Sequence, residues 1–223
     1  MKAWSKWLTR LFCLIILVDV VGIASSYGQH RLLDQFETAL AVNDTMLAAA
    51  ESNDLRQQVV AGLQVFLWIC AMIASLTWIR SANQSARARG AVGMRFTPNW
   101  SIGWYFIPIA SLWMPYQAMK EIWQAGRGGD AWKEDQVPDF FPIWWFVWLF
   151  NIFVSKAVLR NTLNTETIAE LKHATVIAIA SDAASIVLYL MFLSVVREVC
   201  RRHTSDPSKE SDYNRPMQES LPG

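Results

Sequence analysis

Four runs of apolar residues, separated by polar stretches, organise the chain. They cover residues 11–28, 59–79, 140–159 and 174–196. Asp19 interrupts the first, Lys156 lies near the end of the third and Asp182 sits inside the fourth, while the second carries no charge. Each run approaches the ~20 residues that a helix needs to cross a ~30 Å hydrocarbon layer. Backbone groups in lipid have no water to bond, so helix is the form these runs must take. A fifth apolar stretch, 101–119, is broken by Pro108 and Pro115. Each proline disfavours helix at the residue before it, here Ile107 and Met114. From Pro115 onward, Tyr116, Met119, Ile122 and Trp123 share one helical face. Gln117, Lys120, Glu121 and Gln124 share the other, with Gly126 just beyond. That pattern predicts an amphipathic helix lying in the membrane interface, and leaves 101–114 too short to cross comfortably.

The expected fold is all-α: a polytopic membrane protein of four transmembrane helices plus a proline-broken re-entrant or interfacial segment over 101–126. These form a single membrane domain, 1–203. The polar tail 204–223, with three prolines, is expected to be disordered. Leu32, Phe36 and Leu40 carry helical periodicity beyond the first run until Asn43 and Asp44 break it. Asn53 or Asp54 is placed to start the second spanning helix. Asp139 is placed to cap a helix near Phe140, with Pro142 in its first turn. The basic start and the small residues Ala24–Ser26 also fit a cleaved signal peptide. Asp19 and the length of the run favour a retained anchor.

Basic residues orient the spans, because cytoplasmic loops carry an excess of Lys and Arg. Lys2, Lys6 and Arg10 precede the first helix, and Arg80, Arg87, Arg89 and Arg95 follow the second. If the proline-broken stretch does not cross, fifteen basic residues fall inside and five outside. If it does cross, the division is ten and ten. The biased arrangement is preferred, with both termini and the loop around Asp130 cytoplasmic. The loop 29–58 then lies outside, rich in acid (Asp34, Glu37, Asp44, Glu51, Asp54).

Composition agrees with a membrane class. Of 223 residues, 53% are hydrophobic and 17% charged, against about 25% charged in a soluble domain. Twelve are Trp. These proportions exclude a disordered, collagenous or disulfide-scaffold chain. The net charge of +1 supplies no footprint for nucleic acid.

The middle of the chain adds a resemblance. Asn83, Arg87-Ala88-Arg89-Gly90 and the run from Arg95 to Trp123 carry it. Within that run stand Trp100, Gly103, Trp104, Pro108, Trp113, Pro115, Tyr116, Glu121 and Trp123. This resembles the central signature of a bacterial membrane family catalogued as domain of unknown function 4328, roughly F-S-P-G-W-A-V-G-W-W-F-V-P-I-A-N-L-W-x-P-Y-Q-x-M-x-E-L-W. Ile143 to Ile152 resembles its following W-W-x-x-W-L-x-x-N-I element. The likeness covers about Val60 to Val196. Asn99, Ser111 and Met114 depart from the pattern. The resemblance implies an integral membrane protein, here of the bacterial cytoplasmic membrane, and implies no activity.

Candidate chemistry is confined to a few positions. An ionised carboxylate at mid-membrane costs about 2.5–3.5 kcal/mol on insertion scales, so Asp19 and Asp182 should face the bundle interior or find a partner. With Lys156 and Asn151 they form either a proton, ion or substrate path or a set of packing contacts, Lys156 then reaching the outer interface. The proline-broken segment reads as a lid inside the bundle or as an interfacial collar, with Trp100, Trp104, Trp113, Trp123 and Trp132 at headgroup level and Trp4, Trp7 and Trp78 joining them on the same side. Arg80, Arg87, Arg89 and Arg95 are candidate contacts for anionic lipid, besides setting orientation. Cys13, Cys70 and Cys200 have no metal-ligand spacing, His30 and His173 fall at the outer interface, and no metal or cofactor is expected. The expected partners are the lipid bilayer and, beyond it, another membrane protein or a second copy. The leading expectation is a non-catalytic lipid- or protein-interacting component. A small oligomeric transporter or channel using the intramembrane carboxylates comes next, then a membrane-embedded enzyme. Both carboxylates lining one hydrated cavity would favour transport. A polar cluster opening beside Arg80 and Arg95 would favour the enzyme.

Overall fold

The computed structural model describes residues 2–39, 41–129, 131–163 and 167–204. Of the tail expected over 204–223, Thr204 closes the last helix, while 205–223 lie outside the described residues, as does Asp130. Six α-helices and three short 3₁₀ turns account for most of this length, and no strand occurs among the described residues. The helices are α1 (Lys2–Thr38), α2 (Asp44–Ala88), α3 (Trp100–Gly103), α4 (Met114–Ala125), α5 (Phe140–Leu163) and α6 (Ile168–Thr204). By length and composition, α1, α2 and α6 are able to cross a membrane; α5 is apolar over the shorter stretch Phe140–Lys156.

Local chemistry explains most ends. Helix α1 continues to Thr38, as the Leu32–Phe36 periodicity predicts, and the Thr38 hydroxyl bonds back to the carbonyls of Asp34 and Gln35. Helix α2 starts earlier than predicted. Asn43 Oδ1 accepts the Met46 N–H at 2.9 Å, an N-cap bond, so Asn53 and Asp54 fall inside the helix rather than opening it. At α5 the Phe141 N–H goes to the Pro138 carbonyl rather than to the side chain of Asp139. Ile107 is extended (φ −97°, ψ 112°), as a residue before proline should be. Met114, by contrast, belongs to α4; the break falls one residue earlier, at Trp113 (φ −142°). Pro115 sits in the first turn, where its missing N–H has no helical acceptor to lose.

The chain divides into two compact units, each described by itself. Among the described residues, one gathers those within 2–5, 76–141 and 195–204; the other gathers those within 6–75 and 142–194. We call them the signature unit and the helical unit. In the helical unit, Leu8, Leu11, Phe12, Ile15 and Val18 form a buried stripe on α1 at helical spacing. Phe12 meets Tyr189 and Phe192 of α6, both at 5.4 Å between ring centroids, and Trp144 of α5 stacks on Phe192 at 5.9 Å. Other faces are apolar yet open: Phe66 on α2 and Phe146, Phe150 and Phe153 on α5 are each more than 60% exposed. Water would penalise so continuous an apolar surface; hydrocarbon would not.

In the signature unit, α4 lies in the core. Ala118, Met119, Ile122, Trp123 and Ala125 are buried, and so are Glu121 and Gln124 from the polar face. The predicted amphipathic helix therefore exists, but half of its polar face, Glu121 and Gln124, is covered by its own unit, while Gln117 and Lys120 stay half-buried. Phe141 meets Trp123 edge-on at 6.0 Å. Trp78, Trp123 and Trp132 are buried here, so the collar expected at headgroup level is reduced to its exposed members, Trp100 and Trp113 among them.

Candidate functional site

The polar centre of the helical unit is built on three helices. Asp19 stands on α1, Asp182 on α6 and Gln64 on α2. The Gln64 side-chain amide donates to Asp19 Oδ1 at 3.1 Å and to Asp182 Oδ1 at 3.3 Å. Asp19 is 5% exposed, and its Oδ2 is buried without a hydrogen-bond partner. Gly22, one turn along α1, makes room for this arrangement. A Cβ there would stand 2.7 Å from Gln64 Nε2 and 2.9 Å from Asp182 Oδ2. The two predicted carboxylates are thus brought together, through a residue that the charge count passed over. Gln64 is an amide inside an otherwise apolar run, and that oddity was its signal. Asn151 is not part of this centre; its amide donates to Ser185 Oγ at 3.3 Å. Lys156 is exposed and forms no ion pair with either carboxylate.

Polar contacts continue along the same three helices. Arg56 donates to Ser25 Oγ (3.0 Å) and Asn53 Oδ1 (2.6 Å), and Gln57 donates to Gln29 (2.7 Å). His30 bonds Thr175 Oγ1 at 3.0 Å. Lys172 closes the series between Asp34 (2.6 Å) and Glu37 (2.7 Å). Its ammonium holds the exposed Asp34 carboxyl below the usual carboxylate range. His30 and His173 line one cavity of about 300 Å³ with Glu37 and Lys172. Glu37 is engaged by the lysine there, and the described residues include no group fit to hold a metal.

The signature unit is tied together by the residues that carry the resemblance. Asn83, fully buried, donates to the Phe96 carbonyl at 2.9 Å and accepts from Arg87 Nε at 3.1 Å. Arg87 also donates to the Phe96 carbonyl at 2.9 Å. From α4, Glu121 accepts the N–H of Arg95 (2.5 Å) and of Phe96 (2.9 Å). Two buried polar side chains therefore fix one loop from opposite sides, satisfying backbone groups that burial would otherwise strand. Arg80 donates to Asn99 Oδ1 at 3.0 Å, Arg95 to Gln117 Oε1 at 3.2 Å, and Arg89 to the His203 carbonyl. Of the four arginines, Arg80 and Arg95 leave most of the guanidinium for other partners, whereas Arg87 is committed to the loop it closes. Gly103 lets the Trp100 ring lie against the backbone, where a Cβ would meet it at 3.1 Å; Trp100 and Trp104 pack at 4.8 Å.

Sequence reasoning missed Asp135 and His203. Asp135 pairs with Arg127 (3.5 Å) and Arg202, and Arg202 lies 4.0 Å over the Trp123 ring. Buried His203 meets the Ile122 carbonyl (3.1 Å) and Ser85 Oγ (3.4 Å). No spacing in the sequence links Asp135 to Arg202 or His203 to Ser85 and Ile122, because these partners lie far apart along the chain.

In the comparison with known families, residues 43–201 match the family described as domain of unknown function (DUF4328). The match begins at the Asn43 cap, earlier than the signature run, and excludes α1 with Asp19. No curated protein and no solved structure matches the chain.

Proposed function

The chain belongs to the DUF4328 family, and on that premise we propose that it is a four-span integral protein of the bacterial cytoplasmic membrane that acts without catalysis, by engaging lipid at the cytoplasmic interface. The observation that carries this reading is the surface of the proline-broken segment. Phe106 is 67% and Ile109 72% exposed, and Ile107, Leu112 and Trp113 are exposed beside them. The stretch 104–113 holds no charge. So continuous an uncharged, exposed apolar tip is a feature to be solvated by lipid. Three helices long and apolar enough to cross a membrane, together with the shorter apolar stretch of α5, support a four-span reading. Another membrane protein or a second copy is the alternative cover for the same tip.

The test is a single cysteine at Ile109 in a protein freed of Cys13, Cys70 and Cys200, labelled with an environment-sensitive dye and reconstituted in vesicles. Quenching by lipids that carry the quencher near the headgroup is expected. Quenching by aqueous iodide alone would exclude the interfacial reading.

A second reading, a transporter or channel, is favoured by the Asp19–Gln64–Asp182 centre and the polar ladder leading from it. It expects proton or cation flux in proteoliposomes that Asp182→Asn abolishes; no flux from the unaltered protein would leave the centre as a packing device.

A further inference from the structure

The signature unit carries an open cavity of about 580 Å³ that neither reading uses. Arg95, Lys120 and Lys133 line it, with Tyr116, Gln117 and Trp132. None of the three cations has an ion pair among the described residues. The one carboxylate on the wall, Glu121, has both oxygens engaged by the backbone N–H groups of Arg95 and Phe96. Three like charges facing one space repel one another, and the described lining residues supply no other acid between them.

Two of the cations, Arg95 and Lys133, are also held in direction. The Arg95 backbone is pinned by Glu121, its guanidinium is steadied by Gln117, and it lies 5.1 Å over the Phe96 ring. Lys133 stands 5.6 Å over the ring of Trp132, whose indole N–H is fixed on the Val92 carbonyl at 3.1 Å. Gly93 keeps space for the lysine. Its φ is +73°, and a Cβ there would come within 3.2 Å of Lys133 Nζ. A polar cluster beside Arg95 would also suit an enzyme. With Glu121 committed to the backbone, however, the lining offers binding groups rather than a free carboxylate base.

We infer that this cavity binds an anion bearing a phosphate monoester. An arginine fork and two lysine point charges match a dianionic phosphate, which needs several donors at once. The volume exceeds that of phosphate alone, and Tyr116 and Trp132 offer an aromatic wall for the group it is attached to. Two sources share this chemistry: a lipid headgroup with a terminal phosphate, and a soluble phosphate monoester. The site goes beyond the interfacial reading and does not rest on it.

Calorimetric titration of the full chain in neutral detergent micelles tests it. The probes are phosphatidic acid, phosphatidylcholine of the same acyl chains, and glycerol 3-phosphate. Saturable one-to-one binding of phosphatidic acid or glycerol 3-phosphate is expected, with none for phosphatidylcholine. Phosphatidic acid alone identifies the lipid source; glycerol 3-phosphate identifies the soluble one. Arg95→Gln, Lys120→Gln and Lys133→Gln should each weaken binding about tenfold or more, through loss of a charge-assisted contact. Arg31→Gln, in the helical unit, should not. Should one variant fail to fold, the other two decide. No saturable binding of either phosphate monoester, equal binding of phosphatidylcholine, or unchanged affinity in the folded variants would overturn the assignment.

Discussion

His203 stands seven residues beyond the apolar run that ends at Val196, and its ring is almost fully buried. Bonding to the Ile122 carbonyl requires a proton on Nε2, which leaves Nδ1 to accept from Ser85. Burial lowers its pKa below the ordinary histidine value, and the neighbouring Arg89 and Arg202 add to the effect, against the Ile122 bond. The unfolded chain then binds more protons than the folded one as pH falls below about 6.5, so stability falls with it. Melting in detergent should therefore show a loss on the acid side of neutrality that His203→Gln diminishes; an identical acid loss in both proteins would remove His203 as its source. Gly126 belongs to the same contact. A Cβ at that position would run into the His203 ring, so the glycine serves a close approach rather than a special backbone angle. Gln64 illustrates a different residue-scale rule. An amide has two N–H donors, and here each carboxylate receives one, which is how a neutral side chain comes to organise two acids.

The start of α2 shows why element boundaries shift between expectation and structure. Asn53 and Asp54 are as good cap residues as Asn43, but a cap is decided by which side-chain oxygen reaches a free N–H. Asn43 does so, with Thr45 bonding the same Oδ1 at 2.7 Å, and the helix runs on for 45 residues. At 1.5 Å per residue that is roughly 68 Å, more than twice a hydrocarbon layer of ~30 Å. Asn43→Ala should cost about 1 kcal/mol locally. Amide exchange over 44–50 should quicken while exchange in the apolar run stays unchanged; equal protection in both proteins would show that the cap is not what holds this end. Helix α4 shows the complementary case. Its two faces were legible from spacing, yet what covers the polar face was not. Glu121 and Gln124 read as solvated positions until the loop at 95–96 and the carbonyl of Asp135 take them up, the latter at 2.5 Å.

For the whole molecule, the acid-rich loop falls in the helical unit and the basic stretch 80–95 in the signature unit, whereas Lys6 and Arg10 fall in the helical unit with the first apolar run. The proposed four-span topology puts Asp130 on the cytoplasmic side. A reporter fused at Asp130 and active only outside the cytoplasm should therefore stay silent, while a partner reporter active only inside should work; the reverse pattern would overturn the four-span topology.

Periodicity and proline positions determined the helices and the broken segment, and charge asymmetry supplies the orientation proposed for them, because each acts on neighbouring residues or on the chain's exchange between water and lipid. The family was legible for the same reason, being written as a contiguous run. What only tertiary structure decided is which polar groups meet. Asp19, Gln64 and Asp182 lie far apart along the chain, as do Asp135 and Arg202, or Ser85 and His203, and no local pattern predicts a partner across such separations. The few charges left in an apolar chain must be satisfied by whatever packing brings to them. Asp19 found an amide, while Asn151 found a serine instead of the acids it was expected to join. Lys120 and Lys133 face a cavity whose counter-charge the described fold does not supply.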